Sequence, residues 1–112
     1  MTRILLVDGS SDDRDRTRDR LKSAGHDVVC AGDATTAVER IDQRSFDMII
    51  TDWMLRDMSG LELAHYARRH AHGRHSRIVI LTGRNDPSAV AQALDGGIED
   101  YLVKPVEPAE LV

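Results

Sequence analysis

With 112 residues, the chain is long enough for one domain and its core and too short for two. Hydrophobic residues make up 41% and charged residues 30%, a globular balance that excludes a disordered chain. A net charge of −4 argues against a nucleic-acid-binding surface, and no run of about 18 apolar residues suggests a membrane span.

The one cysteine, Cys30, allows no internal disulfide and suits a reducing cytosol. There is no charged-then-apolar leader pattern; residues 4–7 (Ile-Leu-Leu-Val) read at once as a first strand. The expectation is a soluble, cytoplasmic domain.

Residues 11–24 then read as an unusual helix. From Asp12 to Arg20, eight of nine residues are charged, and only Leu21 and Ala24 are plainly apolar. Asp12 with Arg16 (i, i+4) and Asp15 with Arg18 (i, i+3) can support this helix by ion pairs, so it reads as a solvated, charge-neutral face. The alternative is a docking helix for a partner.

A second apolar run falls at 28–31, and Asp33 is a plausible N-cap for a helix over about 33–43. There Ala34, Ala37, Val38 and Ile41 share one face. A third strand is predicted at 48–51, followed by a helix opening at Ser59-Gly60, with Leu61, Ala64 and Ala67 or Arg68 in register. A fourth strand covers 78–82. A fourth helix runs from near Pro87 to Gly96-Gly97, and a fifth strand covers 101–103. The last helix, from Pro108, has little more than one turn, so the expectation is one domain over 1–112 with its final helix truncated and any output domain absent.

The apolar runs are mostly continuous, as in strands buried on both faces of a parallel sheet. Alternating strands and helices predict an α/β three-layer sandwich with a five-stranded parallel sheet of order 2-1-3-4-5, the flavodoxin-like class. Its ligand site lies beyond the carboxyl ends of the strands. Those ends present Asp8, Asp52, Thr82 and Lys104. A strand-end carboxylate can attack phosphorus if positive charge neutralises the phosphoryl oxygens. Asp8 offers a ligand for Mg²⁺, Lys104 an ammonium and Thr82 a hydroxyl donor. The set reads as a phosphoryl-transfer site.

Four segments carry a family resemblance: Ile4-Leu5-Leu6-Val7-Asp8, then Asp52-Trp53-Met54-Leu55 with Ser59-Gly60, then Ile80-Leu81-Thr82-Gly83, and Asp100 to Pro105. In this order they resemble response-regulator receiver domains of two-component signalling, over essentially the whole chain. The resemblance implies that Asp52 is the phosphoacceptor, assisted by Mg²⁺ held by Asp8, Asp52 and the Met54 carbonyl. It implies that Thr82 is the switch hydroxyl, that Tyr101 is the aromatic that rotates with it, and that Lys104 contacts the phosphoryl group. Lys104-Pro105 would be a cis peptide. The implied donor is a histidine kinase or a histidine phosphotransfer protein, with a fused output domain or a homodimer as further partners. No enzyme activity beyond self-assisted phosphorylation and dephosphorylation is implied, and no direct nucleic-acid or membrane contact.

One position departs from the family pattern. Two adjacent acids usually follow the first strand, and here Gly9 replaces the second. By analogy with lost supporting ligands, metal binding is expected to weaken ~10-fold or more. Gly9 also keeps a second reading open, a pseudo-receiver that docks partners without phosphorylation. A haloacid-dehalogenase-type phosphatase would want an acid where Met54 stands, and a flavin phosphate would be repelled by the acids after Gly9-Ser10-Ser11. His65, His70, His72 and His75 are irregularly spaced and read as solvated rather than zinc-binding, and Cys30 as a small buried hydrophobe.

Overall fold

The computed structural model describes residues 2–70, 75–82 and 100–103. Over these residues the elements are β1 (Arg3–Val7), α1 (Ser11–Ser23), β2 (Asp27–Ala31), α2 (Ala34–Gln43), β3 (Met48–Asp52), α3 (Gly60–Arg69), β4 (Arg77–Thr82) and β5 (Asp100–Val103). The strands form one sheet of order β2-β1-β3-β4-β5, every pairing parallel, as the sequence predicts. The helix expected from Pro87 and the last helix from Pro108 lie outside the described residues.

Strand alternation sorts the core into two layers. Leu5, Val7, Ile49, Ile78 and Ile80 face Ala34, Ala37 and Ile41 of α2 and Leu63, Ala64 and Ala67 of α3. Ile4, Leu6, Met48, Ile50, Val79 and Leu81 face the other way, where Leu21 of α1 packs. Side chains buried on both faces explain why the strands read as unbroken apolar runs. In α3 the sheet-facing stripe is Gly60, Leu63, Ala64 and Ala67, with Leu61 only half-buried at its edge, so the expected face is rotated slightly.

The caps follow the sequence. Ser10, Asp33 and Ser59 cap α1, α2 and α3 by accepting the N–H of Asp13, Thr36 and Glu62. Gly25, with φ of 93°, turns the chain from α1 into β2 in a conformation that L side chains resist.

α1 buries only Thr17 and Leu21, and Ala24, the other plainly apolar residue of the segment, is exposed at its C-cap. Its ion pairs also differ in part from expectation. Arg16 pairs with Asp13 rather than Asp12, while Arg18 takes Asp15 as expected and Asp19 besides. Both spacings are neighbours on a helix surface, and such exposed pairs contribute only a few tenths of a kcal/mol each, roughly. Cys30 is half-buried rather than buried; desolvation pushes its thiol pKa up, partly offset by Arg18 and Arg14.

Candidate phosphoryl-acceptor site

Register and alternation together place the two aspartates. β1 and β3 pair with Val7 opposite Thr51, so Asp8 and Asp52 are the next residues of neighbouring strands, roughly 5 Å apart in backbone spacing. Residues 4 and 6 of β1, like 48 and 50 of β3, face the α1 side. By the same alternation Asp8 and Asp52 project to that side too, at the carboxyl end of the sheet. Both aspartates therefore stand on one side of the sheet, at the carboxyl ends of neighbouring strands.

Asp8 is 1% exposed, and its Oδ2 is wholly inaccessible. Its Oδ1 accepts the Ser10 N–H at 2.9 Å, which turns the chain sharply into α1. Asp52 is half-buried, and its Oδ1 accepts the Trp53 N–H at 2.9 Å. A carboxylate buried as deeply as Asp8, beside a second one, is a setting in which a cation is stabilising. Carboxylate oxygens are the kind of donor that a hard cation such as Mg²⁺ takes. Gly9 is exposed and adds no ligand.

Asp12 and Asp13 are the next acids after Gly9. Asp12 is exposed, and the carboxylate of Asp13 is engaged with Arg16. The residue of α1 that does turn toward the strand end is Arg14. Its Nη1 donates to the Asp8 carbonyl at 2.8 Å and covers Gly32. Sequence reading placed Arg14 on a solvated face. Its spacing to the buried Thr17 and Leu21, i, i+3 and i+7, was the signal that it belongs on the inner one.

The loop from β3 to α3 is closed on itself. Gly60 N–H donates to the Trp53 carbonyl at 2.7 Å and Leu55 N–H to the Met58 carbonyl at 3.1 Å, and Met54 and Ser59 form an antiparallel bridge. At its root a β-carbon on Gly60 would collide with the Asp52 carbonyl, so only glycine fits there. Met54 stands out from this loop, 63% exposed, and Trp53 packs against the core.

The remaining predicted residues are placed by backbone alone. Asp52 lies opposite Leu81, so Thr82 follows one step along at the end of β4; Tyr101 pairs with Ile80, and Val103 with Thr82. Lys104 and Gly83 lie outside the described residues. Of the histidines, His70 bonds Asp42 through Nε2 at 3.0 Å, His65 and His75 are exposed, and His72 lies outside the described residues. Among the described residues no group of three potential ligands forms a metal cluster of His, Cys, Asp or Glu. Nor, among them, is any helix long and apolar enough to cross a membrane.

Comparison with known proteins places this architecture. The family model of the response regulator receiver domain matches residues 4–112. The phosphate regulon transcriptional regulatory protein PhoB of Klebsiella pneumoniae is 34% identical over 98% of this chain, and PhoB of Pseudomonas aeruginosa 35% over 97%. The chain spans about half the length of these curated relatives, 48% in each case. Among solved structures, the chemotaxis response regulator CheY4 of Vibrio cholerae superposes with a TM-score of 0.89 at 30% identity, covering 99% of this chain and 92% of that one. The receiver domain of a sensor histidine kinase from Pseudomonas aeruginosa, with magnesium coordinated in its active-site cleft, gives 0.87 at 29% identity, covering 98% and 90%. The chain belongs to the response-regulator receiver domains of two-component signalling.

Proposed function

We propose that Asp52 accepts a phosphoryl group from a histidine kinase or a histidine phosphotransfer protein, with Mg²⁺ assistance, and relays it as a conformational switch. The observation that carries this reading is the side-by-side placement of a half-buried Asp52 and a buried Asp8 at adjacent strand ends. An Asp52 oxygen forms the new bond to phosphorus as the bond from phosphorus to the donor nitrogen breaks, and the departing imidazole keeps that electron pair and takes up a proton. Asp8, Asp52 and the Met54 carbonyl would hold Mg²⁺, which would supply positive charge to the phosphoryl oxygens. Lys104 and Thr82 supply the remaining charge and hydroxyl. The phosphoryl group then draws Thr82 toward it, and Tyr101 follows, shifting a pre-existing equilibrium of the β4–β5 side of the domain.

A cytoplasmic location fits a single thiol left unpaired by any disulfide. The outputs we assign to the switch are pairing with a second copy or with a fused output domain. Over residues 1–112 we read one receiver domain.

The test uses a small-molecule phosphodonor with intact-mass detection and Mg²⁺ titration followed by Trp53 fluorescence. Wild-type protein should gain one phosphoryl group and Asp52→Ala none. If Asp52 stays unmodified at saturating Mg²⁺ and donor while a partner still binds, Gly9 has made the domain a pseudo-receiver that works by docking alone.

A further inference from the structure

The loop that leaves Asp52 is fastened to a different element through one carboxylate. Asp57 Oδ1 accepts the Ala34 N–H at 3.0 Å, and its Oδ2 accepts the Thr35 N–H at 2.9 Å and the Thr35 hydroxyl at 2.6 Å. Three bonds to one carboxylate, two of them from successive amides at the positive end of a helix, make a charge-assisted clasp. They hold the Asp57 carboxyl down to about 2, although the side chain is exposed. Arg56 adds a longer contact, 4.0 Å to Asp33 Oδ2.

Asp57 is not needed as the cap of α2. Asp33 already fills that role through the Thr36 N–H at 2.8 Å. The clasp reaches across 23 and 22 residues of sequence to join the loop tip to the helix start. At its root the same loop is held by the Gly60–Trp53 and Leu55–Met58 backbone bonds. Root and tip are thus both fixed, and Trp53 and Met54 lie between them. The circuit closes through the sheet. The α2 start follows β2, whose Ala31 carbonyl accepts the Asp8 N–H at 3.1 Å.

We propose that Asp57, with Thr35 as its partner, is a positioning residue of the acceptor site, locking the loop so that the Met54 carbonyl and the Asp52 carboxylate are preorganised for a divalent cation. This rests on the reading of the site given above. Its importance is raised by Gly9, because a cation with one carboxylate fewer depends more on the placement of its remaining ligands.

The test compares the full chain with Asp57→Ala, Thr35→Val and a control, Asp42→Ala. The control removes the link made by Tyr66 and His70 at the opposite ends of α2 and α3. Two readouts are taken: amide exchange at Leu55 and Gly60, and Mg²⁺ half-saturation from Trp53 fluorescence. Asp57→Ala should accelerate both amides and raise the half-saturation ~10-fold, the usual scale for a lost outer-shell partner. Thr35→Val should act in the same direction and less. Asp42→Ala should lower the thermal midpoint and leave both readouts at wild-type values. The proposal is overturned if Asp57→Ala leaves exchange and half-saturation unchanged, or if Asp42→Ala shifts them equally. A wild-type protein with no Mg²⁺ response overturns the site reading instead, and unchanged exchange at Leu55 and Gly60 would then still sink the clasp.

Discussion

The backbone carbonyl of Asp52 rests against Gly60 so closely that a β-carbon at residue 60 has no place to go. The atom in the way is main chain of Asp52 itself, and it cannot rotate aside as a side chain would. Ile80 Cδ1 closes the same space from β4, 3.3 Å from where that β-carbon would lie. Gly60→Ala must therefore push α3 and the end of β3 apart. We expect a loss of about 1–3 kcal/mol in chemical denaturation, the usual cost of overpacking a close contact. Phosphorylation of Asp52 should slow in the same variant, because its carboxylate moves with its backbone. A variant with wild-type stability would show that the contact relaxes without cost.

Gly9 poses the opposite case. A β-carbon there meets nothing nearer than the Gly32 carbonyl at 3.9 Å, and the backbone is not in the left-handed region. Gly9→Asp can thus be built without strain. It would place a third carboxylate beside Asp8 and Asp52. Without metal, the added like charge should lower the thermal midpoint. With Mg²⁺ the order should reverse, since tighter binding to the folded state stabilises it by mass action. Half-saturation should fall ~10-fold, restoring what a missing ligand costs. Calorimetric scans with and without Mg²⁺ check both signs, and an unchanged half-saturation would place residue 9 outside the cation's reach.

Much of this was legible in the sequence because the chemistry is local. Ile4 to Val7, Met48 to Ile50 and Ile78 to Leu81 are buried on both sheet faces, so their unbroken apolar runs announce parallel strands. Asp33 and Ser59 announce helix starts because the capping bond spans only three residues. The strand-end positions of Asp8 and Asp52 followed from the apolar runs that precede them. What stayed hidden depends on tertiary approach. Asp57 reads as an ordinary loop acid, since nothing local signals amides more than twenty residues away. Gly60 reads as a helix opening, and its contact with the Asp52 carbonyl exists only once α3 docks. Arg14 was lost in a run of charges, although its spacing to Leu21 marked it as inward-facing.

Acid titration should expose the clasp. The Asp57 carboxyl is lowered from 3.8 to about 2 by its bonds to Thr35 and Ala34, and Asp33 is lowered too, mainly by its bond to the Thr36 N–H. Both groups bind fewer protons folded than unfolded in this interval. Their contribution is therefore present above about pH 4 and is lost as pH falls toward 2. Wild-type stability should decline over that window, and Asp57→Asn should flatten the decline because residue 57 no longer titrates. Denaturation midpoints measured at a series of acidic pH values decide it. A variant as steep as wild type would mean that other carboxylates dominate.

Ser76 offers a test of the fold away from the site. It is 3% exposed, and its hydroxyl donates to the Phe46 carbonyl at 2.6 Å, joining the segment before β4 to the segment before β3. Its own carbonyl accepts from Arg68 Nη1 at 2.5 Å, which draws the end of α3 to the same point. Ser76→Ala removes only the hydroxyl, so the Arg68 bond survives while a buried carbonyl loses a donor. The expected cost is about 1–2 kcal/mol, a lost hydrogen bond plus part of the desolvation of its former partner. Because the change lies at the amino ends of the strands, opposite the crevice, Mg²⁺ half-saturation and the rate of Asp52 labelling should match wild type. Lost labelling at full folding would mean that the two ends of the sheet are coupled, and that strand register, rather than the crevice alone, sets the acceptor geometry.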